Sequence, residues 1–579
     1  MITSAVKDSS KGKTVALWEA VRQKQDVVMG VGLFILAAVS RLPFQEKILY
    51  HWDSINFALS LQHFDVAAGQ PHIPGYILYV LLARWVNAVV GDTQLTLVGI
   101  SLVSSGLAVA CLYVLGSTMF NRATGLTAAL FLASSPLFWF YGEVALPHSL
   151  DALVVIVTVW LLYRIMHGEA ALAVPAAIWI GVAGGLRPQT QLFLMPLALV
   201  AGWRLGWKRG LLALGVMAVV DFAWAIPLVW STGGLARYLQ VTREFTAAFN
   251  TTTSVFSGGG LWGLQRNVHK LAMYTLYGWG LAVIPAAVAG LEVLRSLSAR
   301  RLAIAKGLTP RSWSVERSGG QTHKEQFSIT QAVGQRASAL SGAVSTAVMR
   351  DMRFSVMLLW LGPVLVFYVF IHMGQQGLVF VFLPALLLLS AAALYQVWTR
   401  TLYRRLLVAV LVTVNVAIFV AAPMYPLGGD QVKLLTVDTL RQQDADYAAR
   451  LDAVRRDFSS QNTALLSSGW RYPQYYLPGY ALVPYALVSR WELGEGSPVS
   501  QTEKWLDGAS LGLTPDANGF FTLVLFDNDL KPFNQSSGRQ ELMRLSNGQE
   551  LAYLRFTSAE RIYIGPTSFG IAPAAQAHK

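Results

Sequence analysis

Residues 51–91 read HWDSINFALSLQHFDVAAGQPHIPGYILYVLLARWVNAVVG, and their reading decides how the rest of the chain is laid out. A carboxylate, Asp53, stands near the start, beside Trp52 and two residues after His51. Helical spacing puts Asp53, Asn56, Ser60 and His63 near one stripe, with Ile55, Ala58, Leu59 and Leu61 mostly opposite. The run Gly69-Gln70-Pro71-His72-Ile73-Pro74-Gly75 ends that helix. A second apolar helix, Tyr76–Val90, follows and carries Arg84 and Asn87. At 1.5 Å per residue it is roughly 22 Å long, short of the roughly 30 Å hydrocarbon core. Both helices therefore read as lying on or dipping into a membrane surface without crossing it.

The composition fits that setting. Of 579 residues, 54% are hydrophobic and only 13% are charged, which is the balance of a polytopic membrane protein. A net charge of +13 is what basic cytoplasmic loops give under the positive-inside rule, and a nucleic-acid partner is not expected. The single cysteine, Cys111, rules out an internal disulfide. No P-loop, zinc-ligand spacing or dinucleotide fingerprint is found in the sequence, so a nucleotide-sugar donor is not expected.

Eleven apolar segments read as spans: Val27–Phe44, Gln94–Phe120, Ala123–Tyr141, Leu146–Met166, Ala171–Leu186, Thr190–Trp203, Gly210–Trp230, Leu271–Leu294, Phe354–Ile371, Gly377–Trp398 and Leu406–Met424. Residues 1–26 form a basic cytoplasmic tail, and the first span reads as an uncleaved signal anchor. With Tyr76–Val90 left out of the count, Arg122, Arg164, Arg204, Lys208, Arg209, Arg400, Arg404, Arg405 and the basic 295–353 loop all fall inside. Counting it as a twelfth span would put all of them outside. The same parity gathers Asp53, Glu143, Asp151, the 231–270 loop and His372 on the outer face. The serine- and glycine-rich stretch Leu308–Gln335 reads as a linker. Residues 27–426 thus form the membrane domain, and 427–579 a small outer α/β domain. In that domain Asp430–Phe458 reads as a helix and Thr502–Leu506 as a short one. Thr463–Ser468, Tyr480–Val488, Phe520–Phe526, Glu550–Phe556 and Ile562–Ile564 read as strands.

The loop resembles the first outer loop of the GT-C glycosyltransferases. In that family an acidic residue follows the first span, and a Pro-Gly-Tyr or Pro-Pro-Leu turn opens a juxtamembrane helix. Here the matching residues are Trp52-Asp53-Ser54 and Ile73-Pro74-Gly75-Tyr76, with Ile73 where many members have a first proline. The nearest likeness is to bacterial protein-O-mannosyltransferase-like proteins and the lipid A aminoarabinose transferases, over roughly Asp26–Pro426. The resemblance implies a mainly α, GT-C-type helical bundle in the bacterial plasma membrane. It implies transfer of a sugar, a hexose or mannose being expected, from a polyprenyl-phosphate donor to an outer-face acceptor. That acceptor would be a protein, a lipid or a glycan.

Asp53 is expected as the base or orienter for the acceptor hydroxyl, since attack on an anomeric carbon releases a proton. The plainer reading is an acid capping its helix. The leaving phosphate needs cations or N–H donors. Arg187, His72, His372, Arg243, His269 and Lys270 are the candidates, with Tyr76 at the turn; snorkelling and helix capping are their ordinary roles. Glu143, His148 and Asp151 sit at the next outer turn, suited to binding sugar hydroxyls or steering the acceptor, with a metal between the two acids as the third and least expected role. No metal or other cofactor is expected. Arg41 reads as an interfacial anchor or a partner for Asp53. Gly258–Gly260 fits a hinge in the 231–270 loop. A transporter or lipid flippase is the main rival, and it predicts polar groups at mid-membrane. A non-catalytic envelope scaffold is the third reading.

Overall fold

A computed structural model describes residues 24–305, 351–425, 433–484, 487–488, 499–500, 504–527, 539–564 and 569–573. Leu308–Gln335 and most of the 295–353 loop lie outside these residues. The described chain is a helical bundle followed by a smaller sheet-containing domain.

All eleven apolar segments are helical. Seven fall in helices of at least 18 residues that are apolar enough to cross a membrane: Lys24–Phe44, Thr93–Met119, His148–Met166, Trp207–Ser231, Gly260–Ser298, Met352–Phe370 and Thr401–Ala421. The other four lie in shorter helices. The segment expected as one span over Ala123–Tyr141 is two helices, Arg122–Ser134 and Pro136–Tyr141. The break is at Ser135, whose hydroxyl accepts the Phe138 N–H while Pro136 takes the first helical position. Gly377–Trp398 likewise divides into a 3₁₀ stretch, Gln376–Val381, and a helix, Leu383–Val397.

Thr93–Met119 and His148–Met166 are the inner helices. Thr93–Met119 also approaches Arg122–Ser134 through small residues: a Cβ on Gly116 would stand 2.7 Å from the Gly125 Cα. Trp207–Ser231 lies at the rim, with Leu211, Val219, Phe222 and Ile226 exposed. An outward apolar belt of this kind is compatible only with lipid around it, so the chain is an integral membrane protein.

Ile77–Val90 is a 14-residue helix closed by Gly91 in the left-handed region, φ +76°. It buries Ile77, Tyr79, Val80 and Ala83 and exposes Trp85 and Val89. Its Arg84 guanidinium donates to the carbonyls of Ser60 (2.8 Å) and Leu61 (3.1 Å), capping the end of the preceding helix. That preceding helix, Trp52–Gln62, is not two-sided as its spacing suggests. Ile55, Phe57 and Ala58 are buried, and so are Ser54, Asn56 and Ser60. The reason is that it is packed on more than one side, by the bundle and by the C-terminal domain.

In that domain five strands run in the order 481–484, 463–467, 520–525, 550–557, 540–544. The first three are parallel and the rest antiparallel. The helix begins at Val437, later than expected. The expected short helix over Thr502–Leu506 is instead a strand, Lys504–Leu506. Pairing of Trp505 with Tyr563 and Leu506 with Ile562 overrides the local preference. The domain docks on residues 47–52. The Asp444 carboxylate accepts the Ile48 N–H at 2.8 Å and the Lys47 N–H at 3.0 Å. The Tyr472 hydroxyl donates to the Tyr50 carbonyl at 2.7 Å, and Trp470 meets Trp52 edge-on at 5.2 Å.

Candidate active site

Asp53 sits in the first turn of Trp52–Gln62, where the helix dipole favours an acid. The N-cap is His51, whose Nδ1 accepts the Asp53 backbone N–H at 3.0 Å. A backbone amide only donates, so His51 Nδ1 carries a lone pair and its proton rides on Nε2. Burial pushes the His51 pKa down, which agrees with a neutral ring.

The 69–76 turn folds His72 back over the carboxylate, Nδ1 to Oδ1 3.3 Å. The His72 ring stacks on Phe245 at 5.9 Å and tilts against Tyr76 at 5.1 Å. Tyr76 is held at φ +43°, a conformation costly for a side chain of this size, and its ring packs edge-on against Phe57. Burial pushes the Tyr76 hydroxyl up to about 12, so it remains a neutral donor.

Gln375 completes the surroundings of Asp53. Its amide N–H donates to Oδ2, and its amide oxygen faces His148 Nε2 at 2.8 Å. With the amide fixed this way, His148 Nε2 must be the donor, and hydrogen bonds run in one direction from His148 through Gln375 to Asp53. His148 Nδ1 is buried with no partner among the described residues. Burial works against the Asp53 charge, but His72 and the Gln375 bond outweigh it, and the carboxyl lies below its ordinary range. Its side chain retains 15% exposure.

Next to this group Arg187 pairs with Asp151 at 2.7 Å, both side chains almost fully buried. Thr190 also donates to Asp151. Burial lowers the Arg187 pKa, and Asp151 with Tyr76 more than restores it, so the guanidinium keeps its charge. Arg187 Nε is buried and unpartnered among the described residues. A second cationic group flanks the Gln375 segment. His372 Nδ1 lies 3.1 Å from the Thr253 hydroxyl, and burial with Arg266 and Lys270 nearby lowers its pKa to about 4. Arg266 donates to the Met373 carbonyl at 3.3 Å.

Of the residues singled out in the sequence, Asp53, His72, Tyr76, His148, Asp151 and Arg187 come together. His372 and Lys270 adjoin them, and His269 is half-buried beside Lys270. Arg243 is exposed on Leu235–Thr253, and no described contact links it to Asp53. Glu143 is buried beside the Arg41 guanidinium; burial holds its carboxyl well above the usual range against the pull of Arg41. Arg41 is therefore neither an interfacial anchor nor a partner of Asp53. It is fully buried, donating to the Ala37 carbonyl at 2.7 Å.

His51, Gln375, Arg266 and Glu46 join the site only in the folded structure. His51 and Gln375 stood inside stretches already singled out, and the spacing His-x-Asp was the available signal. Glu46 accepts backbone N–H bonds from Tyr50 (2.8 Å) and Ala145 (2.9 Å), and burial pushes its pKa up to about 8. Among the described residues no group of three or more His, Cys, Asp or Glu is arranged to hold a metal ion.

No protein-family model matches the chain, and no curated protein matches its sequence. Among solved structures it is similar to ArnT from Cupriavidus metallidurans bound to undecaprenyl phosphate, with a TM-score of 0.49 and 13% identity, covering 91% of this chain and 97% of that one. The apo ArnT structure gives a TM-score of 0.47 and 13% identity over 92% of this chain and 98% of that one. The Archaeoglobus fulgidus oligosaccharyltransferase gives 0.41 and 15% identity over 79% of this chain and 64% of that one. These neighbours belong to the GT-C superfamily.

Proposed function

We propose that this protein is an integral-membrane glycosyltransferase that moves a sugar from a polyprenyl-phosphate donor to an acceptor hydroxyl on the outer face of the membrane. The observation that carries the reading is an accessible, ionised Asp53 held by His72 and Gln375 beside a buried cationic guanidinium, at one end of a lipid-embedded bundle. Asp53 receives the acceptor hydroxyl as a hydrogen-bond donor and takes its proton as the new glycosidic bond forms. A carboxylate of low pKa is a weak base towards a free alcohol. It suffices when the leaving phosphate departs early and the attacking hydroxyl turns acidic as it bonds. Arg187, through its unpartnered Nε–H, together with Lys270 and Arg266, steadies the phosphate charge that grows as the sugar leaves. Tyr76 supplies a neutral donor between the two. The resemblance in the 51–91 loop suggests hexosyl or mannosyl transfer. The C-terminal domain, packed on residues 47–52, presents the acceptor.

The test is turnover by the purified full chain with a panel of polyprenyl-phosphate sugars. Asp53→Asn keeps the shape and removes the charge. Its expected effect is a fall in kcat of roughly 10²–10⁴-fold with KM little changed. Normal turnover in a folded Asp53→Asn protein would overturn the mechanism.

A further inference from the structure

At the end of the bundle away from Asp53, a crevice of about 400 Å³ opens between His148–Met166, Ala173–Leu186, Pro188–Arg204 and Trp207–Ser231. About 25 Å of helix separates His148, in the candidate site, from Ile165 on the crevice wall. The walls are apolar and include small residues such as Ala173, Ala177, Ala198 and Gly210, which leave room where larger side chains would close the gap. The volume lies within the roughly 300–1,000 Å³ of ligand pockets.

The mouth has a different chemistry. Trp203 and Trp207 line it and are 87% and 72% exposed. Between and beyond them stand Arg204, Lys208 and Arg209, all exposed, on either side of a turn at Gly206 with φ +83°. Lys208 Nζ lies 5.5 Å from the Trp207 ring centre. The Glu169 carboxylate on a neighbouring turn is bound to Arg164, so it does not offset this charge. An apolar slot alone accepts any acyl chain, and exposed cations alone attract any anion. A slot edged by two exposed tryptophans, with three exposed cations on the same helix–turn–helix segment, suits a molecule that has both an apolar chain and an anionic group.

We infer that this crevice binds an anionic glycerophospholipid. An acyl chain lies between the four helices and the headgroup phosphate rests against Arg204, Lys208 and Arg209. A soluble phosphate would leave the slot empty. A polyprenyl-phosphate donor shares the chemistry, but its reacting end belongs beside Asp53, at the opposite end of the bundle. The site is independent of the sugar-transfer reading and is tested without a donor sugar.

The experiment measures tryptophan quenching of the delipidated full chain in detergent by brominated phosphatidylglycerol, with brominated phosphatidylcholine and glycerol 1-phosphate as comparison arms. Phosphatidylglycerol is expected to bind roughly tenfold more tightly than phosphatidylcholine, and glycerol 1-phosphate not to compete. Trp203→Phe/Trp207→Phe should remove the part of the quenching that distinguishes phosphatidylglycerol from phosphatidylcholine. Lys208→Gln/Arg209→Gln should bring phosphatidylglycerol down to the phosphatidylcholine level. Ala198→Phe fills the slot with the charges intact and should weaken both lipids, which covers the case of a misfolded charge variant. Equal binding of the two lipids, or phosphatidylglycerol-selective quenching that persists without Trp203 and Trp207, would overturn the proposal. So would displacement of phosphatidylglycerol by undecaprenyl phosphate at lower concentration than by phosphatidylglycerol itself.

Discussion

Each oxygen of Asp53 has its own neighbour: His72 faces Oδ1 and the Gln375 amide is bonded to Oδ2. A carboxylate so placed stays ionised at neutral pH, which suits orienting a hydroxyl better than storing a proton. Arg187 poses the opposite question, because Asp151 already balances its charge. Removing one member of a buried pair costs about 3–5 kcal/mol, since the other is left without compensation. Arg187→Met is therefore expected to destabilise the protein by about that much. Arg187→Met/Asp151→Leu should regain most of the loss. If Arg187 also holds the donor phosphate, turnover stays low in the double variant despite its restored melting point. Thermal unfolding and activity on the same two samples separate the roles. Asp53, His72 and Arg187 were legible in the sequence because each stands at a break beside an apolar run. Gln375 was not, because an amide in a glycine-flanked loop has no signal until its partners are known.

The 45–76 segment is the element on which the site depends. It is pinned from below by Arg84 on the carbonyls of Ser60 and Leu61, and from above by Asp444 on the N–H groups of Lys47 and Ile48. Asp444→Ala removes the upper anchor without touching the bundle. Loss of charge-assisted bonds worth about 1.5–3 kcal/mol each predicts at least tenfold faster amide exchange at Lys47 and Ile48. Exchange within Thr93–Met119 should be unchanged. Hydrogen-exchange mass spectrometry reads both. The pattern of apolar and polar residues in 52–62 suggested one wet face. It misled because a helix covered by a second domain buries its polar side as well, and that covering comes from residues about four hundred positions away.

Across the whole molecule, the distribution of arginine and lysine supports placing the Asp53 end outside. In a Cys111→Ala background, Ala67→Cys should react with a membrane-impermeant maleimide added to intact cells, and Lys208→Cys only after lysis. The reverse pattern would invert the proposed orientation. Apolar runs identified the helices, because a bilayer allows no other lipid-facing backbone, and charge between runs argued their order across the membrane. The apolar runs are local and additive, so the sequence by itself determined the helices; the orientation argued from charge is what the labelling tests. Which acids meet which cations was decided only by tertiary structure. Glu143 and Asp53 both stand near span ends, yet one is buried beside Arg41 and the other keeps partial exposure between two histidines. That difference arises from helix crossings set by side-chain packing, and no spacing along the chain encodes it.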